Sequence, residues 1–487
     1  MIKLINKSRQ EFSLFIFAFV ITLFNTINLH QSTVLFLSLP QYLLVFYCLF
    51  NKDYRAAFLF HSVFIATCVS RGIFIEEEVS PFLYINMRVY GPLTFNIIIL
   101  FILWVSVQNK SVFVSKKSLL LTVRKTILYL LVSGSIIGLI GCLIIKYYDW
   151  HYLVTRFLFV AQCFLFVDIF IRLYNESYSR LFATAVLCMI AAAPVASVIS
   201  FSVFGVHSFY GFDLIPLYNP ILTLTPCLII ALFQLENFKL KAISLIGLIF
   251  YVIHITILAR GNQYLDIFVT LLLLGYLVYF KKGSNFQLKS LKLMLPVLIV
   301  LVIPFVINKI VSSSDVSLNK FEQFLSLFTF IDFSNGRVAL QYDDIGSSPY
   351  IRVGELSNII HEGIQNFFSF IFGKGFGGYY SDSLHFFDHL DLSRGAFSNE
   401  SALSGRFYTA HSAIPSVLHY NGLIGLLLMI KLAISYLRKV DRTFLVFAAF
   451  VLLVQSFYFD MYGCFAFTMA LFGAEYLISV TSKNNTR

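Results

Sequence analysis

The chain has 487 residues, of which 58% are hydrophobic and only 13% charged, with a net charge of +11. Soluble domains carry roughly 25% charged residues, so this composition excludes an ordinary water-soluble enzyme and leaves an integral membrane protein. Lys and Arg gather in the loops between apolar runs, where membrane topology alone accounts for them, and they imply no nucleic-acid partner.

A spanning helix needs roughly 20 mainly apolar residues. In chain order the apolar runs predict fourteen spans, at 12–29, 33–50, 56–70, 90–108, 127–145, 157–171, 181–204, 221–235, 242–258, 264–280, 293–309, 415–437, 443–459 and 464–480. Lys3, Lys7 and Arg9 precede the first span as in a signal peptide. Its apolar stretch is long and no small-residue cleavage site follows, which predicts an uncleaved anchor. Spans nine and ten are separated only by residues 259–263, so they form a tight hairpin.

Orientation follows from the loop charges. With the N-terminus inside, alternate loops hold 23 Lys and Arg residues, while the short outside loops and their borders hold five: Arg71, Arg88, Lys146, Arg156 and Arg260. Positive loops stay in the cytoplasm. The acidic run Glu76–Glu78 and the long polar interruption at 311–410 then fall outside. The chain divides into spans one to eleven (1–310), one large outside loop (311–414), and spans twelve to fourteen with a cytoplasmic C-terminus (415–487).

The seven cysteines lie in or beside spans and none lies in the long loop, which argues against a disulfide framework or a Cys-ligated metal. Within that loop Val353, Leu356, Ile360, Ile364, Phe367 and Ile371 recur at three- and four-residue steps after Arg352. This is the pattern of an amphipathic helix. It ends at Gly373, Gly375, Gly377 and Gly378. The chain continues through Ala410-His411-Ser412 to His419-Tyr420-Asn421-Gly422-Leu423-Ile424-Gly425.

An arginine-led helix, the Gly373-Lys374-Gly375-Phe376-Gly377 turn, Ala410-His411-Ser412 and Asn421-Gly422-Leu423-Ile424-Gly425-Leu426 together resemble the bacterial O-antigen polymerase and ligase superfamily. Arg260-Gly261, in the hairpin between spans nine and ten, resembles the family's upstream arginine. The resemblance covers about 352–428 plus Arg260; Ser412 stands where the family often has Asn. It implies an all-α inner-membrane protein of about 14 transmembrane helices, with a large periplasmic loop containing the amphipathic helix. The implied donor is an undecaprenyl-pyrophosphate-linked oligosaccharide, and a polysaccharide chain-length regulator is a further implied partner.

Glycosyl transfer from such a donor leaves negative charge on the pyrophosphate, which fixed cations stabilise as it develops. Arginine suits the task through its planar, permanently charged fork. By resemblance Arg260 and Arg352 are the pyrophosphate clamp, with Gly375 and Gly377 in the substrate-binding turn. His411 is then the base or acceptor-orienting group, since histidine most often removes a proton at neutral pH. The arginines do the electrostatic work, so neither a metal nor a cofactor is expected. One of Arg71, Arg88 and Arg156 is expected to join this site.

Competing readings are specific. Arg260 and Arg352 could cap helix ends and snorkel to headgroups, and His411 could be an interfacial histidine. Gly373-Lys374-Gly375-Phe376-Gly377-Gly378 matches G-x-G-x-x-G literally, but a helix rather than a strand precedes it. Asp382, His385, Asp388, His389 and Asp391 cluster without the glutamate of an H-E-x-x-H zinc site, and read as a solvated or sugar-contacting surface. Asp168, Asp266, Lys431 and Glu475 fall inside spans, which admits a lipid-linked oligosaccharide flippase, because intramembrane charges pair or mark pathways. The single long loop and the absence of two repeat halves argue against that class. Polymerase and ligase share a donor and differ in acceptor. Fourteen spans, the Tyr- and Phe-rich loop and the Arg352-x10-Gly363 spacing favour a polymerase over transfer to lipid A-core.

Overall fold

The structure, a computed structural model, describes residues 10–28, 32–68, 80–110, 119–145, 148–204, 220–234, 237–258, 347–387, 397, 399–410 and 413–439. Helix dominates it, as apolar sequence requires: only helices satisfy every backbone group within their own segment. In order come α1 (Gln10–Ile27), α2 (Leu35–Phe50), α3 (Tyr54–Thr67), a small hairpin β1 (Arg88–Tyr90) and β2 (Leu93–Thr94), α4 (Phe95–Val107), α5 (Leu119–Ile144), α6 (Trp150–Leu173) and α7 (Glu176–Phe204). A 3-10 segment at Pro220–Cys227 leads into α8 (Leu228–Gln234), followed by α9 (Phe238–Leu258). The loop region contributes α10 (Ser347–Gln365), α11 (Phe367–Phe372), β3 (Tyr380–Ser381), α12 (Asn399–Ser404) and β4 (Arg406–Phe407), and α13 is Ala413–Lys439.

Among the described residues, four helices are long and apolar enough to cross a membrane, at Leu119–Ile144, Trp150–Leu173, Glu176–Val203 and Ile414–Ser435. Shorter apolar helices occupy Glu11–Ile27, Leu35–Phe50 and Phe95–Val107. Predicted spans ten, eleven, thirteen and fourteen lie outside the described residues, as do Asp266 and Glu475. The eighth predicted span is not one α-helix. Pro220 and Pro226 lack N–H donors, and the 3-10 turn through them leaves seven residues of α8. The sixth starts earlier than its apolar run, because Asp149 caps α6 by accepting from His151 N (2.6 Å) and Tyr152 N (3.3 Å).

Two cores form. The larger joins α1, α3, α6 and α7 around Phe58, Phe64, Phe166, Phe170 and Phe182. The second lies within the loop region and gathers Ile351, Ile359, Tyr380, Phe387, Phe397 and Phe407 against Leu418 of α13. The described part of the loop is therefore a folded cap seated on a candidate span, with Tyr380 and Ser381 pairing antiparallel to Phe407 and Arg406. Its expected amphipathic helix is two helices. Asn366 ends the first and caps the second, accepting from Ser369 N at 3.2 Å. The exposed apolar residues are Ile364, Phe367 and Phe368 at the junction and Phe372 at the end of α11, while Leu356 and Ile360 pack on the cap core.

Asp168, expected as an intramembrane charge, is fully partnered. Arg124 Nε lies 2.6 Å from one carboxylate oxygen, and Arg172 Nε and Trp104 Nε1 each donate to the other at 2.8 Å. A buried carboxylate held this way clasps α4, α5 and α6 together. Lys431 is exposed on α13.

Candidate functional site

A glycine turn builds the site. α5 buries Gly134, Gly138 and Gly141 on one side and leaves Val132, Ile136, Leu139 and Leu143 exposed on the other. This small-inward arrangement lets another backbone approach closely. Residues 373–378 fill that space. Phe376 N donates to Gly134 O at 2.8 Å, and a Cβ on Gly138 would overlap the Phe376 backbone. On its other side the turn meets α13, where Lys374 N donates to His419 O (2.7 Å) and Gly375 N to Tyr420 O (3.1 Å). At its end Asp149 N donates to Gly377 O at 3.1 Å, which joins the turn to the start of α6.

Four glycines are required by this geometry; Gly373 and Gly377 both have φ +82°, with the Tyr420 backbone and Asp149 O where a Cβ would go. Gly375 has φ +74° with its α-carbon against Gly138, and Gly422 has φ +64° where it breaks α13 beside Gly373. Side chains rarely adopt such backbone angles. Asn421, just before the break, donates to Leu130 O and Ser133 Oγ, both at 2.9 Å, and ties α13 to α5. The G-x-G-x-x-G match is thus a helix-to-helix wedge with its N–H groups spent on carbonyls, not a phosphate loop of a dinucleotide fold.

Lys374 and Glu362 hold the turn to α10. Lys374 Nζ lies 2.6 Å from Glu362 Oε2 and donates to Tyr379 O at 2.8 Å, while Ser381 N donates to Glu362 Oε1 at 2.9 Å. One helical face of α10 carries Glu355, Asn358 and Glu362 into the cap. Asn358 Nδ2 donates to Asp382 Oδ1 (2.7 Å), and Tyr380 Oη donates to Glu355 Oε1 (3.1 Å). Burial, with Glu355 beside it, pushes the Tyr380 phenol well above its usual value. Asp382 also accepts from Phe386 N and Phe387 N, so its role is to staple the segment. His385 is exposed in an adjacent turn at φ 59°, and Asp388, His389 and Asp391 lie outside the described residues.

Against this frame stands a shelf of tyrosines and cations from three segments. Tyr152 and Tyr408 stack at 4.5 Å and 6°, Tyr379 meets Tyr408 at 6.0 Å, and Tyr148 meets Tyr379 edge-on at 6.3 Å. Lys374 Nζ and Arg406 Cζ lie 5.6 and 5.7 Å from the Tyr379 ring centre. Burial pushes the Tyr148 phenol up to about 12, with Tyr379, Cys142 and Glu362 adding to it. Burial also raises Tyr408, helped by Asp149 and opposed by Arg406.

Of the three candidate arginines, Arg156 joins this region. It lies one turn beyond Tyr152 on α6, is 5% exposed, and sits 5.6 Å from the Tyr420 ring centre. Arg88 is exposed in β1, and Arg71 lies outside the described residues. Arg352 is one turn before Glu355 on α10, and Tyr380 Oη also reaches Thr409 O at 3.4 Å. Thr409 is two residues before His411 in the chain, but His411 and Arg260 both lie outside the described residues. Gly375 and Gly377 lie in the turn, packed against Gly138 of α5 and against Asp149 and Leu153 at the start of α6. Sequence reasoning missed Lys374, Glu362, Tyr152, Tyr408 and His419. Only His419 carried a signal, as a polar residue within an apolar span.

No family model matches the chain, and no curated protein matches it.

Proposed function

We propose that the chain is a polysaccharide repeat-unit polymerase, a metal-independent glycosyltransferase acting on undecaprenyl-pyrophosphate-linked oligosaccharides at the periplasmic face of the bacterial inner membrane. The observation that carries this reading is the convergence of Tyr148, Tyr152, Tyr379 and Tyr408 with Arg156 and Arg406 at one end of the helix bundle, on a turn wedged between spanning helices. Aromatic faces stack on sugar rings, and arginines meet phosphate oxygens bidentately. A donor whose lipid tail lies in the bilayer and whose sugar lies above it needs both at one boundary.

In this reading the protein has fourteen spans, both termini are cytoplasmic, and the α5–α6 turn faces the periplasm together with the cap. Arg352 and Arg260 clamp the pyrophosphate, and Arg156 is the third cation. His411 is the base or the acceptor-orienting group. Lys374 is neutralised by Glu362 and keeps the turn in place rather than binding substrate. The pairing of Asp168 with Arg124 and Arg172 supports a structural role for this charge in the polymerase reading.

Deleting the gene and examining the surface polysaccharide tests the proposal. Core capped by a single repeat supports a polymerase. Uncapped core with accumulated lipid-linked polymer supports a ligase, and loss of repeats from the outer leaflet supports a flippase.

A further inference from the structure

His419 is 2% exposed on α13, and only one of its ring nitrogens is in use. Nε2 lies 3.0 Å from Gly378 O. A carbonyl only accepts, so Nε2 carries the proton and Nδ1 carries the lone pair. Nδ1 is buried and has no hydrogen-bond partner among the described residues. An orphaned buried acceptor is costly, and in native folds it points to a ligand or an ordered water.

Its surroundings belong to the site. Arg156 is six residues inside α6 and His419 six residues inside α13, so both lie about 9 Å down their helices at ~1.5 Å per residue. Both pack on Tyr420, Arg156 at 5.6 Å and the His419 ring at 4.9 Å. The His419 carbonyl accepts from Lys374 N, and Tyr380 meets the ring edge-on at 5.4 Å.

We propose that His419 Nδ1 takes the proton of the acceptor hydroxyl during transfer; this inference rests on the polymerase reading. The acceptor oxygen bonds to the donor's anomeric carbon with its own electron pair. The bond from that carbon to the pyrophosphate oxygen breaks, and its electrons leave with undecaprenyl pyrophosphate beside Arg156. The hydroxyl proton moves to Nδ1, giving an imidazolium that returns it to the leaving pyrophosphate or to water.

The test uses full-length protein purified in detergent and lipid-linked repeat as both donor and acceptor. His419→Gln keeps an amide donor for Gly378 O but supplies no base. It should bind donor as the wild type does and transfer roughly 10²–10⁴-fold more slowly in a single turnover. Transfer by His419→Gln within about threefold of wild type would overturn the inference and leave the ring a structural group. If the Gln variant does not fold, His419→Ala is assayed with added imidazole. Restored transfer supports the proposal, and no restoration overturns it. A wild-type protein that makes no polymer fails the polymerase reading itself, an outcome distinct from an active wild type with an equally active variant.

Discussion

Arg352→Ala and Arg260→Ala are expected to abolish polymer formation without changing protein abundance, because each removes a cation from developing pyrophosphate charge. Lysine at either position should restore activity only in part, since a point charge lacks the bidentate fork. Immunoblots and polysaccharide gels read both effects, and full activity in Arg352→Ala would remove that residue from the mechanism. Arg156 extends this set. Its guanidinium lies against Tyr420, where a desolvated cation–π contact contributes roughly 2 kcal/mol. Arg156→Ala should therefore lower stability as well as activity, while Arg156→Lys keeps most of the stability. Tyr148 gives a pH signature. Burial favours its neutral phenol, so the fold's phenol titrates near 12 while an unfolded one titrates near 10. Its contribution is present below about pH 10 and is lost as pH rises through 12. The absorbance change of phenolate formation near pH 12 should be smaller by one tyrosine's amplitude in Tyr148→Phe.

Packing of whole elements explains what the sequence could and could not disclose. Apolar runs marked α1, α2, α3 and α13 to within three residues, because run length alone identifies a candidate span, while α5, α6 and α7 start five to eight residues before their predicted runs, through polar residues that the runs left out. Arg352's helix and the glycine turn were legible from periodicity and from Gly373 to Gly378. What stayed hidden was which face of each apolar helix is buried. A helix that is apolar all round has no periodic signal, so Arg156 read as a border residue although α6 buries it. Gly134, Gly138 and Gly141 form a visible small-residue stripe in α5, but nothing local named residues 373–378 as its partner. This wedge yields an element-scale prediction. Gly138→Leu puts a side chain into the Phe376 backbone, and should cost about 1–3 kcal/mol and abolish transfer. Ile136→Ala, on the exposed side of the same helix, should leave activity and thermal stability in detergent near wild type.

For the molecule as a whole, the loop charges and the structure bear on one arrangement. The cap meets the α5–α6 turn through Gly377 and Asp149, and the Arg124–Asp168–Arg172 clasp lies toward the opposite end of α6. Reporter fusions near residue 380 should be active only in the periplasm, and fusions at the C-terminus only in the cytoplasm. A cytoplasmic signal from the cap would overturn the topology and the site with it. The central claim is that this single chain joins lipid-linked repeats, and reconstitution tests it most directly. Protein purified alone, given isolated undecaprenyl-pyrophosphate-linked repeat and excess EDTA, should produce a ladder of lipid-linked polymers, with no lipid A-core added. A ladder that stops with EDTA and returns with a divalent ion would contradict the assignment of the electrostatic work to arginines. Unchanged repeats in the presence of intact, folded protein, together with their movement across a liposome bilayer, would contradict the polymerase account itself.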